Sequence, residues 1–227
     1  MGKDDILRKA AILQRDQETY AIMADLGGGV MDTPTARRIA DAADKFGAKK
    51  LKITGAQRLA LLGVKEQDID AAYEVMGVKF QQCSPLCTQY IKVCPGNTFC
   101  PRGQRDTLSF ASRVRERFHP FPKISAKIKI GIAGCYNSCV EPAIKDIGLI
   151  GLPKGWTLMA GGAGGKDPMF AQIIAANLED DKTLELVERI LKYYRASASR
   201  HMSRNHRLGV IMRAEGKGPL MRACGLE

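Results

Sequence analysis

"CPGNTFC" at residues 94–100 and "GCYNSC" at residues 134–139 decide how this chain is read. The first holds Cys94 and Cys100 with five residues between them; the second holds Cys135 and Cys139 with three. Two close-spaced thiol pairs, drawn from distant parts of a chain, are how a protein encloses a metal ion or an iron–sulfur cluster. Both pairs sit among Gly and Pro, where the backbone turns and its N–H groups can approach sulfide. Four thiolates match what a 4Fe–4S cube requires. A structural zinc is the alternative, but zinc pairs usually leave about two to four residues between ligands, and the five of "PGNTF" are unusual for it.

Composition narrows the setting. The chain has 227 residues, enough for one substantial core or two small domains. Seven cysteines, an odd number, stand in a chain whose start, "MGKDDILRKAAILQRDQ", has no apolar secretory segment. Reduced thiols in the cytoplasm are expected, not a disulfide scaffold. No run approaches the roughly 18 apolar residues of a membrane helix, so no membrane is expected. Thirty-five Lys and Arg against 24 Asp and Glu give a net charge of +11, which favours an anionic partner. Nucleic acid is not the expected partner, and a nucleic-acid-binding cluster protein has only the charge behind it. Aromatics are sparse, no basic run of five appears, and no helix-turn-helix or zinc-finger spacing is present.

The flanking segments alternate between strand and helix. "ETYAIMADLGGGV" reads as a strand entering a glycine turn. "DTPTARRIADAADKFG" reads as a helix capped by Thr33, with Pro34 in its first turn and Gly47 at its end; Ile39, Ala43 and Phe46 share one face. "KKLKIT" alternates like a strand, and "KEQDIDAAYEVMG" is a helix closed by Gly77. Residues 19–77 thus read β-α-β-α. A cysteine-bearing loop (83–100) leads into the helical "RGQRDTLSFASRVRERF". "AKIKIGIAG" is a strand delivering the second cysteine pair, and "IGLIGL" and "WTLMAGGAGG" are further strand-and-turn material. "DKTLELVERILKYYRASA" is an amphipathic helix with Leu184, Val187, Leu191 and Tyr194 on one stripe. The tail is basic, with another helix and then a loose end carrying Cys224.

With the spacing and its setting in view, the chain resembles the sirohaem and 4Fe–4S sulfite and nitrite reductases. "CPGNTFC…GCYNSC" is similar to that family's C-x5-C…C-x3-C signature. "KITGAQRLALLGV" resembles its strand and loop beside the sirohaem, and "AKIKIGIAGCYNSCVEPAIKDIGLIG" with "GGAGG" its second half-motif. The resemblance runs over residues 20–195 in consistent order. It implies an α+β fold: a ferredoxin-like half-domain (1–80, with an N-terminal extension) followed by a sirohaem and 4Fe–4S binding α/β domain (81–227, with a basic tail). It implies that Cys94, Cys100, Cys135 and Cys139 hold the cluster, with Cys139 also bridging to the sirohaem iron. Thr54, Gln57 and Arg58 match the family's sirohaem loop, and Arg102 and Arg105 stand where they would meet the ring's carboxylates. Asn137 matches a family asparagine that shapes the turn. Lys127 and Lys129, two apart and so on one face of a strand, align with a lysine pair that contacts bound sulfite.

The activity implied is six-electron reduction of sulfite to sulfide, with nitrite to ammonia as the close alternative. A non-catalytic electron-transfer subunit of the same family is a third reading. No nucleotide fingerprint accompanies the cysteines, so electrons are expected from another protein, an acidic ferredoxin-like donor suiting the basic surface. The usual family member has two fused repeats and this chain has one. Met23 and Asp25 stand where an active-site arginine is expected, so the second face of the site is expected to be either incomplete or built by another subunit. A two-fold homodimer is the expected assembly, because a lone β-α-β-α unit leaves a sheet edge unpaired; the competing outcome is that residues 1–18 fold back over that edge. Cys83, Cys87 and Cys224 read as spare thiols, and His119, His201 and His206 show no ligand spacing.

Overall fold

A computed structural model describes residues 3–78, 90–118, 128–198 and 207–226. The chain divides into two compact units, Met1–Ser84 and Pro85–Glu227.

The first unit runs β1 (Ala11–Leu13), β2 (Thr19–Ala24), α1 (Thr33–Lys45), β3 (Lys50–Ile53), β4 (Leu59–Lys65) and α2 (Ile69–Met76). Its four strands form an antiparallel sheet in the order β1-β2-β4-β3. Asp32, not Thr33, caps α1: its carboxylate accepts the Thr35 N–H at 2.8 Å, and Thr33 is already helical. An Asp carboxylate is an acceptor free to reach the third N–H from the cap, so it takes the position ahead of the next residue's hydroxyl. Ile39, Ala42 and Ala43 of α1 share a core with Tyr20, Ile22, Leu61, Ile69 and Met76. Tyr73 ties this core to β2 and to the turn ahead of β1, because its hydroxyl donates to the Lys9 carbonyl at 3.0 Å and accepts the Met23 N–H at 3.2 Å.

Four strands were not foreseen: Tyr90–Val93, inside the segment read as a loop, Gln172–Leu178, and two in this unit. β4 hides because a bulge interrupts its alternation: the register shifts between Tyr20 and Ala21 opposite Gly63, whose φ is +98°. Leu61 and Val64 are therefore both buried although three residues apart, a spacing that mimics a helix face. The other is β1, which pairs along β2 and covers the edge expected to be open. The N-terminal segment thus does fold back. The uncovered edge belongs to β3, where Lys50 and Lys52 alternate with the exposed Leu51 and Ile53. Lysines on an edge discourage indiscriminate strand pairing.

The second unit runs β5 (Tyr90–Val93), α3 (Gly96–Phe99), α4 (Thr107–Phe118), β6 (Lys129–Ala133), β7 (Ile147–Leu152), β8 (Gly155–Ala160), β9 (Gln172–Leu178), α5 (Asp180–Ala198), α6 (Leu208–Glu215) and α7 (Gly218–Cys224). The strands lie in sequence order, β5-β6-β7 parallel and β7-β8-β9 antiparallel. Phe110 and Trp156 meet with ring centroids 4.4 Å apart, and the Trp156 indole N–H donates to Asp180 at 2.8 Å. Leu184, Val187, Leu191 and Tyr194 of α5 fill the same core. The tail differs from expectation. It forms two helices, and Cys224 is buried at 1% exposure, its thiol pushed up in pKa by that burial.

The connection from β6 to β7 crosses between parallel strands with only a 3-10 turn, Pro142–Ile144, in place of a helix. It lies directly back on the sheet. A Cβ on Gly148 would stand 2.4 Å from the Pro142 carbonyl oxygen, and one on Gly131 2.9 Å from Cγ of Lys145. Among the described residues, no helix is long and apolar enough to cross a membrane.

Candidate functional site

Cys94 follows β5 directly and Cys135 lies two residues beyond β6, so both pairs are carried at the carboxyl ends of adjacent parallel strands. That end of a parallel sheet is where connections diverge and ligands find room. The Cys94 N–H continues the ladder to the Ile132 carbonyl at 3.1 Å. From there, α3 carries the chain to Cys100, whose N–H bonds to Gly96 at 2.9 Å. The Gln104 N–H reaches across to the Gly134 carbonyl at 2.7 Å, fastening the first cysteine loop to the second. After Cys135 the chain turns through Ser138 and Glu141, both left-handed at φ +50° and +54°. Cys94, Cys100 and Cys135 are half-buried and Cys139 is exposed.

One thiol already receives a hydrogen bond: the Gly134 N–H points at Cys94 Sγ from 3.1 Å. Such a contact suits a cluster ligand. Behind the thiols, a Cβ on Gly96 would lie 2.4 Å from the Thr107 hydroxyl and one on Gly103 2.4 Å from the Asn97 nitrogen. The loops are thus drawn tight against the fold. Among the described residues, no three His, Cys, Asp or Glu side chains converge closely enough for a single ion. The donor set and its cradle fit an iron–sulfur cluster.

Charges brace the same loops. Glu141, two residues after Cys139, accepts from Lys145 Nζ at 3.0 Å and Lys92 Nζ at 3.1 Å, and Lys92 lies two residues before Cys94. The Lys145 and then the Lys92 ammonium hold the Glu141 carboxyl below its usual range. Beneath them, Asp146 is fully buried and clamped by Arg207, with a 2.8 Å bond from Nε and a second, shorter one from Nη2. Its Oδ2 also accepts the Lys129 N–H at 2.7 Å. Burial raises the Asp146 pKa, and the Arg207 guanidinium opposes that shift. Removing one partner strands a buried charge. Arg207→Met is expected to cost about 3–5 kcal/mol in denaturant unfolding, and a double Asp146→Leu, Arg207→Met variant to recover most of it.

The residues singled out from sequence fall in three places. Thr54, Gln57 and Arg58 make the β3–β4 turn of the first unit, closed by Thr54 N–H to Arg58 O at 2.8 Å and Arg58 N–H to Thr54 Oγ1 at 3.1 Å. This turn packs on the glycine loop after β2, since a Cβ on Gly29 would stand 3.0 Å from Gln57 Cβ. In the second unit, Arg102, Cys135 and Asn137 line one open groove of about 330 Å³ together with Leu152 and Pro153. Arg105 behaves differently from its expected role. Its guanidinium donates to the Leu152 carbonyl at 3.1 Å and faces Asp180 at 3.9 Å, so it secures the β7–β8 turn. It also precedes α4, which starts only at Thr107.

Lys129 opens β6, with its ammonium 5.0 Å from the Tyr90 ring centroid. It therefore stands at the end of the strand away from the cysteines, and the four steps to Ala133 alone span about 13 Å. Lys127, Cys83, Cys87, His119, His201 and His206 lie outside the described residues. Sequence reasoning missed Thr107, Glu141, Asp146 and Gly134. Only Asp106, an acidic residue just ahead of a helical pattern, gave a signal, and it marks the start of a helix at Thr107 rather than its burial.

The family model for the nitrite and sulphite reductase 4Fe–4S domain matches residues 87–227, and that for the nitrite/sulfite reductase ferredoxin-like half domain matches residues 12–77. The chain belongs to the nitrite and sulfite reductase family. Members are oxidoreductases that carry sirohaem and a 4Fe–4S cluster. The chain is 34% identical over 196 residues to an assimilatory-type sulfite reductase of Nitratidesulfovibrio vulgaris, covering 86% of this chain and 88% of that one. It is 30% identical over 192 residues to a nitrite reductase [NAD(P)H] of Bacillus subtilis, covering 85% of this chain but only 24% of that protein. Its fold is similar to the crystal structure of dissimilatory sulfite reductase I, with a TM-score of 0.76 at 13% identity, over 92% of this chain and 69% of that one. The α+β architecture of a ferredoxin-like half-domain and a cluster-domain fold is the family's own.

Proposed function

We propose that this protein is a sulfite reductase acting by six-electron reduction of sulfite to sulfide. The observation that carries the reading is the pair of cysteine loops fastened side by side at the carboxyl ends of β5 and β6. Its support in sequence is the small assimilatory-type relative, of which this chain spans 88%. In this reading Cys94, Cys100, Cys135 and Cys139 would hold the cluster, and the exposed Cys139 would be shared with the sirohaem. A sirohaem and a 4Fe–4S cluster bound there would supply the electrons for reduction of the anion.

The remaining roles belong to cations and turn residues. Thr54, Gln57, Arg58 and Arg102 offer donors to the tetrapyrrole's carboxylates, which cannot be buried without them. Asn137 shapes the turn that presents Cys139. Arg105 is assigned to the framework. Lys127 and Lys129 bind the anionic substrate and supply protons. Because Lys129 stands at the far end of β6 from the thiols, we assign these lysines to the site of a second copy in a two-fold homodimer. This placement, and not an open sheet edge, is what supports the dimer. Electrons come from an acidic ferredoxin-like donor, in the cytoplasm, drawn by the basic surface.

Nitrite reduction is the second reading, favoured by the 30% identity to the Bacillus subtilis enzyme. A steady-state assay with a reduced viologen dye separates them. Sulfite is expected to give the higher kcat/KM, with sulfide as product. A kcat/KM for nitrite at least tenfold above that for sulfite would replace the first reading with the second. Reduction of neither anion by cluster-loaded protein would leave an electron-transfer subunit.

A further inference from the structure

Thr107 is a polar residue with no exposed surface, and it stands where the two cysteine loops meet. It is the first residue of α4, set there by Asp106, whose carboxylate accepts the Ser109 N–H at 3.0 Å. Its hydroxyl donates to the Cys94 carbonyl oxygen at 2.5 Å and lies 3.9 Å from Cys94 Sγ. A Cβ on Gly96, between Cys94 and Cys100, would come within 2.4 Å of that hydroxyl. On its other side, the Thr107 methyl abuts the second loop: a Cβ on Gly134 would be 3.1 Å from Thr107 Cγ2. Gly134 is the residue whose N–H points at Cys94 Sγ.

We infer that Thr107 is a positioning residue for the cluster, holding Cys94 and Gly134 in the register that keeps the Gly134 N–H on the Cys94 sulfur. Its two ends do different work. The hydroxyl fixes the Cys94 backbone, so the direction of the Cα–Cβ bond and hence the place of the thiolate follow from it. The methyl fixes the distance to the neighbouring loop. A hydrogen bond to a ligating sulfur withdraws charge and raises a cluster's reduction potential. Loosening this register therefore lowers the potential and weakens retention of the cluster. The inference rests on the proposal that these cysteines hold a cluster.

The test uses the cofactor-loaded full chain and reads the cluster itself. Thr107→Val keeps the shape and removes the hydroxyl; Thr107→Ser keeps the hydroxyl and removes the methyl. In a redox titration followed by electron paramagnetic resonance, Val is expected to shift the cluster midpoint to more negative potential. Anaerobic loss of iron to a chelator should speed up to about tenfold, the effect of one net hydrogen bond. Ser is expected to return most of both properties. Should Val fail to fold, Thr107→Ala, which overfills nothing, gives the same reading. A variant lacking the hydroxyl with the wild-type midpoint and retention, even if its melting temperature falls, overturns the inference while leaving the cluster assignment intact. Wild-type protein without a cluster would overturn both.

Discussion

Replacing Cys139 by Ser is expected to abolish sulfite reduction, a loss greater than about 100-fold, while leaving the protein folded. The figure is a lower bound, since losing even an outer partner of a metal ligand costs about 10–100-fold. Cys139 is the exposed member of the four and follows a left-handed residue, Ser138. Its thiol is thus presented outward, where a second cofactor can share it. The fold does not depend on it, because the core lies beneath the loops in Phe110, Trp156, Leu149 and their neighbours. The variant should therefore show native circular dichroism with loss of magnetic coupling between the two iron centres. Native coupling and wild-type turnover in Cys139→Ser would remove it from the bridge.

The second large effect concerns the lysines. A Lys127→Met, Lys129→Met variant is expected to lose roughly 10- to 100-fold in kcat/KM per lysine, the equivalent of one charge-assisted hydrogen bond each. The more telling result comes from mixing. If each subunit lends its lysines to its partner's site, a hybrid of a lysine-less subunit and a Cys139→Ser subunit contains one intact site and one doubly defective one. Co-expressed and purified through two different tags, that hybrid should recover close to half the wild-type activity. If the lysines serve their own subunit, both sites of the hybrid are broken and no activity returns. A protein that remains a monomer at micromolar concentration with full activity would also end the shared-site account.

Much of the cluster domain was legible because its evidence is local. The strand ahead of Cys135 and the stripe along α5 are properties of short windows, and both are borne out as structure. The parts that were not legible depend on long-range contacts. β4 was hidden by its bulge at Gly63, and β1 has too few residues to show a period. β9 alternates poorly because only Ile174 among its residues is buried. Thr107 and Asp146 carry no sequence signal of burial. Their partners, Cys94 and Arg207, lie 13 and 61 residues away, and only the folded chain brings them together. Arg105 reads as a cofactor cation from its position and is instead spent on the Leu152 carbonyl, 47 residues on.

The central claim is that four cysteines at the ends of β5 and β6 hold a cluster coupled to a sirohaem. Anaerobic purification followed by an absorption spectrum with iron and sulfide analysis tests it most directly. The account predicts tetrapyrrole bands that shift on adding sulfite, with about five irons and about four sulfides per chain. Protein that binds zinc at these thiols, or that carries no tetrapyrrole, would contradict it.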